Sequence, residues 1–136
     1  MPFPNAWLAR PLIWMICTGS RDKQQAARDV TVAARAVGWV IEGVYGWLAD
    51  FAVPRATTLV WLDLPVEECM ANLNHRGLRG GGDTQAFLEL LEWAGTYRER
   101  DSSSSWLGHK QIFDAFSRPK FRLTSRPDLD ALLGAA

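Results

Sequence analysis

The chain has 136 residues, and fifteen Lys and Arg balance fifteen Asp and Glu to give a formal net charge of zero. With 48% apolar and 22% charged residues it has the composition of one globular domain rather than of a disordered segment. Neutrality excludes the basic excess that a nucleic-acid or anionic-membrane protein uses, and two cysteines, Cys17 and Cys69, are too few for a disulfide scaffold or a zinc site.

Residues 1–136 read as a single domain of the reducing cytoplasm. The first apolar stretch, AWLARPLIWMICT at 6–18, is interrupted by Arg10 and Pro11. It lacks a basic leader and a small-residue cleavage site, so 1–21 reads as an irregular start plus one strand rather than a signal peptide. No run reaches the roughly 18 apolar residues of a membrane helix. LIWMIC at 12–17 is a continuous apolar run, hence a buried strand. Ala26, Ala27, Val30, Ala33, Ala34 and Val37 recur at helical spacing across 22–37, and Gly38 stands where a helix stops. WVIEGV at 39–44 and TTLVWLDL at 57–64 read as two more buried strands. Pro65 then opens a helix that runs toward His75.

Asp83 or Thr84 caps a helix whose apolar side carries Phe87, Leu88, Leu91, Trp93 and Ala94. The serine run at 102–105 precedes a helix with Trp106, Leu107, Ile112, Phe113 and Phe116. FRLTS at 121–125 is a short strand, and Pro127 begins a final helix through Leu132 and Leu133. Strands alternating with helices predict an α/β fold: a three-layer, mostly parallel sheet with helices on both faces. Function in such sheets collects at the carboxyl ends of the strands, which directs attention to 18–22, 42–47, 63–66 and 124–127.

Three features there carry chemistry. The strand at 57–64 delivers one carboxylate, Asp63, to the end of a parallel sheet; such an acid orients the water shell of Mg²⁺ in phosphate-handling folds. The alternative is that Asp63 caps the next helix. Glu42, in an otherwise apolar run, needs a reason to be there, and Gly43 beside it allows a close backbone approach; the alternative is that Glu42 already lies past the strand end, paired with an arginine. Third, twelve arginines stand against three lysines, and Arg76, Arg79, Arg98 and Arg100 bracket a glycine-rich loop with glycines at 77, 80, 81 and 82. The planar guanidinium fork suits phosphate, although a solvated loop beside an ion-paired helix gives the same pattern. His75 and His109 stand in no metal-ligand spacing and read as surface or packing residues. The phosphate-loop pattern G-x-x-x-x-G-K-[ST] is absent: TGSRDK at 18–23 has one glycine, and Gln24 follows Lys23 where a hydroxyl is required. Of the seven tryptophans, Trp39, Trp61, Trp93 and Trp106 are assigned to core packing.

WVIEGVYGW, TTLVWLDLP, the Arg- and Gly-rich loop, the helix after it and the terminal strand together resemble adenylate-kinase-like P-loop kinases. The resemblance is specifically to the small bacterial proteins labelled DNA topology modulation proteins. The resemblance covers 22–133 and is most specific over 39–65. It implies a Walker B strand ending in Asp63, with water-mediated Mg²⁺, and an acidic-Gly pair at Glu42 and Gly43 near the acceptor and the metal. It also implies a lid-like loop and helix over 74–100, beginning at Arg76 and Arg79 and returning at Arg98 or Arg100. Leu12–Trp14 resembles the apolar segment near the acceptor site. The family's opening strand, phosphate loop and helix have no counterpart, so the chain reads as N-terminally truncated. No arginine follows the acidic-Gly pair. The sheet then lacks its central strand, which LIWMIC fills, or which direct pairing of 39–44 with 57–64 closes, or which a second chain supplies in a homo-oligomer.

The expectation is a nucleotide-kinase-like P-loop protein without a recognisable phosphate-binding loop, non-catalytic or a truncated remnant. The alternative is an active small kinase using ATP and Mg²⁺ to phosphorylate a nucleotide-like or other small-molecule acceptor. Asp63, Arg76, Arg79, Arg98 and Arg100 would be its catalytic residues, and Glu42, Gly43 and Asp63 its cofactor-binding residues.

Overall fold

The computed structural model describes residues 12–14, by their backbone, together with 22–77 and 83–134. The chain order is β1 (Leu12–Trp14), α1 (Lys23–Ala33), β2 (Val40–Glu42), α2 (Gly46–Ala49), a 3-10 turn (Val53–Arg55), β3 (Leu59–Leu62), α3 (Val66–Arg76), α4 (Thr84–Gly95), α5 (Trp106–Ala115), β4 (Lys120–Leu123) and α6 (Arg126–Gly134). Arg79, the glycines at 80–82 and most of the TGSRDK segment lie outside the described residues.

The helices begin where short polar side chains satisfy backbone N–H groups that have no intrahelical acceptor. Asp22 Oδ1 accepts from the Gln24 N–H at 3.0 Å, Asp83 Oδ1 from the Gln85 N–H at 3.0 Å and Ser105 Oγ from the Gly108 N–H at 3.3 Å. Pro65 occupies the cap position of α3, and its carbonyl accepts from Glu68 and Cys69. Acidic Glu67 and Glu68 in the first turn of α3 and basic His75 and Arg76 in its last complement the helix dipole. Gly77 then ends the helix at φ 62°, a left-handed conformation that glycine adopts without penalty. Helix α1 stops five residues before Gly38 because the Trp39 indole N–H and the Arg55 Nε–H both donate to the Ala34 carbonyl, each at 2.9 Å. Those two bonds satisfy the helix end from outside.

The strands do not form the expected three-layer sheet. Among the described residues β1 pairs in parallel with β2 (Leu12 opposite Val40, Trp14 opposite Glu42), and β3 pairs in parallel with β4 (Leu59 opposite Lys120, Leu62 opposite Leu123). The two ladders are separate, so β1 joins β2 alone and β2 does not pair with β3. Each ladder is closed by its own crossover: α1 links β1 to β2, and α3, α4 and α5 link β3 to β4. The sixteen residues between β2 and β3 hold α2 and the 3-10 turn instead of a crossover helix. Nor are both faces covered. Along β3 Trp61 is buried, while Val60 is 39% and Leu62 51% exposed, a one-sided alternation in place of a strand buried on both faces.

One apolar centre joins Ala26, Val30 and Ala34 to Leu48 and Ala52, with Trp39, Ile41, Tyr45 and Trp47 packed around it. Toward β3 and β4 the buried residues are Trp61, Leu64, Phe116 and Leu123. There the Trp61 ring meets Trp106 and Phe113 of α5 at centroid distances of 5.9 and 5.6 Å, within the range of favourable aromatic pairs. No helix among the described residues is long and apolar enough to cross a membrane.

Candidate functional site

The carboxyl end of β3 carries the most concentrated polar chemistry in the fold. The parallel register holds the Asp63 N–H on the Leu123 carbonyl at 2.8 Å and sets Trp61 opposite Arg122. Alternation puts Trp61 and Asp63 on one face, and α5 lays Trp106 across that face. The Asp63 side chain is 1% exposed. Its Oδ1 accepts from Arg98 Nη2 at 3.1 Å, and its Oδ2 accepts from Arg122 Nε at 2.9 Å, Arg122 Nη2 at 2.6 Å and the Trp106 indole at 3.2 Å. Three of these four donors converge on Oδ2 and one meets Oδ1. The guanidiniums lie against aromatic faces, Arg122 at 4.8 Å from the Trp61 ring and Arg98 at 5.6 Å from Trp106. Their side chains are 40% and 48% exposed, so the anion is buried while its counter-ions reach water.

A second polar chain runs alongside. The Trp61 indole donates to Tyr97 Oη at 3.2 Å, Tyr97 Oη lies 2.7 Å from His109 Nδ1, and His109 Nε2 lies 2.7 Å from the Val44 carbonyl. Burial raises the Tyr97 hydroxyl above its ordinary range and lowers the His109 imidazole. Burial, with Glu68 and Asp63 nearby, also raises the Cys69 thiol, which keeps it protonated.

Of the candidate residues, Asp63 and Arg98 meet directly. Arg100 is committed elsewhere: it donates to the Trp93 carbonyl at 3.1 Å, the Ser104 carbonyl at 3.3 Å, Ser102 Oγ at 3.2 Å and Thr96 Oγ1 at 3.2 Å, and stacks on the Trp93 ring at 4.3 Å. It fastens the end of α4 to the serine turn. Arg76 is exposed on the last turn of α3, and Arg79 lies outside the described residues. Glu42 is the exposed last residue of β2 with Gly43 after it, on the ladder that does not contain Asp63.

Three participants were not singled out from the sequence: Arg122, Trp106 as a donor, and Tyr97. Arg122 had a detectable signal. An arginine between Phe121 and Leu123 in a strand has to find an anion, and the adjacent parallel strand ends in one.

Hydrated Mg²⁺ requires free carboxylate lone pairs to receive its water protons. Asp63 is 1% exposed and already ringed by two guanidiniums and an indole, three of whose donors share Oδ2, so a buried, cation-paired carboxylate of this kind does not fit the hydrated ion. Among the described residues no three His, Cys, Asp or Glu side chains converge as a metal site. A cleft of about 260 Å³ between α2 and α5, lined by Gly46, Asp50, Ser103, Gly108, Gln111 and Ile112, holds one ionisable group, Asp50.

The serine turn that supports Trp106 is closed by its own hydrogen bonds. Fully buried Ser105 donates through Oγ to the Ser102 carbonyl at 2.6 Å while capping α5. Ser105→Ala removes the acceptor of the Gly108 N–H and one of the two donors to the Ser102 carbonyl, which keeps the Ser105 N–H at 3.2 Å, and a loss of about 1 kcal/mol is expected in urea unfolding. Comparison with protein-family models, with curated proteins and with solved structures gives no match.

Proposed function

We propose that the chain is a nucleotide-kinase-like protein that does not transfer phosphoryl groups in this form. The observation that carries the reading is the burial of Asp63 against two guanidiniums and an indole. In phosphoryl transfer the protein contributes positioning and electrostatics, and the strand-end acid must be free to hold the metal's water shell. Here that acid is the internal counter-ion of Arg98 and Arg122. The absence of a G-x-x-x-x-G-K-[ST] pattern supports the same reading, because ATP then lacks the nest of backbone N–H groups that anchors its phosphates. The reading goes with a cytoplasmic protein that engages a nucleotide or another small molecule and neither nucleic acid nor membrane.

Isothermal titration calorimetry with ATP–Mg²⁺, and separately with AMP, tests the proposal. The expected result is no heat from ATP–Mg²⁺ up to millimolar concentration and no ADP formed from the mixture. Submillimolar ATP binding that weakens in Asp63→Asn overturns it in favour of an active kinase with a nucleotide-like acceptor.

A further inference from the structure

The chain Trp61–Tyr97–His109–Val44 has a direction fixed by its ends. An indole N–H can only donate and a backbone carbonyl can only accept. His109 Nε2 therefore carries a hydrogen and gives it to the Val44 carbonyl at 2.7 Å. Tyr97 Oη receives the Trp61 N–H and directs its own hydrogen at His109 Nδ1, 2.7 Å away, which has to offer a lone pair. Each atom is used once in the sense left to it, and the arrangement is complete only with a neutral imidazole. The four residues come from β3, the turn after α4, α5 and the loop after β2. The chain thus ties the Glu42–Gly43 end of the first ladder to the second.

We propose that His109 is a proton-operated latch between α5 and the turn after α4, closed by the Tyr97 hydroxyl when the imidazole is neutral and losing that donation when Nδ1 is protonated. A proton on Nδ1 removes the lone pair that Tyr97 uses. Tyr97 Oη then faces two N–H donors, and its own hydrogen has no acceptor within the chain. Either that hydrogen turns out of the chain or the phenol moves away from α5, and in both cases the Tyr97 donation to His109 is lost. The bond from Nε2 to Val44 persists and moves with the ring.

The surrounding charges set the working range. Burial is the leading cause that holds the imidazole below its ordinary value of 6.5, and Arg100 acts in the same direction; the Val44 carbonyl and Asp63 oppose them. Asp63 is already neutralised by Arg98 and Arg122. The ionisable residues at the ends of α2 are Tyr45, next to Val44, and Asp50, and on α5 Lys110 and Asp114 are paired with each other. Tyr97 remains a donor throughout, since burial raises its hydroxyl. The sign follows: a depressed folded value means that the latch contributes fully above 6.5 and is lost as pH falls below it toward the folded value.

Two-bond ¹H–¹⁵N correlation of the imidazoles in the full chain, titrated from pH 8 to about pH 4.5, tests this with His75 as reference resonance. Expected at the alkaline end is a pyrrole-type Nε2 and a pyridine-type Nδ1 for His109. Below it, protonation should move the amide resonances of Val44 and Tyr97 together. In Tyr97→Phe the His109 midpoint should rise by about half to one pH unit, because the hydrogen bond favouring the neutral ring is gone. A pyrrole-type Nδ1 in the wild-type chain overturns the proposal without any variant. An unmoved midpoint in Tyr97→Phe, or protonation without change at Val44 and Tyr97, also overturns it.

Discussion

Asp63→Ala is expected to cost about 3 kcal/mol of folding stability, read as a lower urea midpoint with an unchanged m-value. The substitution leaves two guanidiniums and an indole N–H arranged around a carboxylate that no longer exists. Breaking a fully buried ion pair in this one-sided way costs about 3–5 kcal/mol. The lower end applies here, because the Arg122 and Arg98 side chains are 40% and 48% exposed and recover part of their hydration. What they do not recover is relief from each other: two cations that both lie beside the Trp106 ring repel once the anion between them is removed. Added salt should therefore restore part of the loss in Asp63→Ala, while barely changing the wild type at the same concentrations. Asp63→Asn keeps the shape and one acceptor, so a smaller loss of about 2 kcal/mol is expected. Replacing the group as a whole, with Asp63→Leu and Arg122→Met together, should cost less than Asp63→Ala alone, since no charge is then left without its partner. If Asp63→Ala unfolds within about 0.5 kcal/mol of the wild type, the carboxylate is not the hub that its four donors imply.

The elements that were legible in the sequence are those defined by local chemistry. Asp22, Asp83, Ser105 and Pro65 each mark a helix start that depends only on the residues within one turn. Strand existence was legible too, from the apolar runs at 12–17, 39–44, 57–64 and 121–125, although the ladders use fewer residues than the runs contain. Strand partnership was not. Apolar runs state that a strand must be covered, and nothing in WVIEGV or TTLVWLDL says whether they lie side by side. Their separation is decided by the chain between them, where Gly46–Ala49 forms a turn of helix too short to show periodicity. At the site, Asp63 and Arg98 were both readable as charged residues in need of a role. Their meeting across 35 positions, and the recruitment of Arg122 across 59, are properties of packing. His109 carried no signal at all, since its defining partner, the Val44 carbonyl, is a backbone group 65 positions away.

Glycine-to-alanine substitutions should divide sharply by position. Around the Ser103 carbonyl, a Cβ on Gly46 would lie 1.9 Å from the oxygen, and one on Gly108 would lie 2.5 Å from it and 2.6 Å from the Ser102 carbonyl. Both obstacles are backbone, so no side-chain rotation relieves them, and α2 and α5 have to separate from the serine turn. About 3 kcal/mol is expected for Gly46→Ala. Slightly less is expected for Gly108→Ala, whose clash is offset by the better helix propensity of alanine, worth about 1 kcal/mol. The damage spreads by a definite route. Ser102 and Ser104 hold Arg100, and Ser105 caps the helix that carries Trp106 and His109. Moving the turn therefore loosens the Trp106 donor on Asp63 and the Val44 contact together, and near-ultraviolet circular dichroism should change along with the unfolding midpoint. The double variant should cost less than the sum of the two, because a single displacement of Ser103 makes room for both methyl groups. Gly95→Ala provides the opposite sign within the same protein. Its Cβ would meet only the flexible Met70 side chain at 3.9 Å, an ordinary contact, at the last residue of α4. There the reduced freedom of the unfolded chain dominates, and a gain of about 0.5 kcal/mol is expected. Thermal unfolding of the three single variants in one buffer checks the order; a Gly46→Ala protein as stable as Gly95→Ala would mean that the serine turn does not pack against α2 as closely as described.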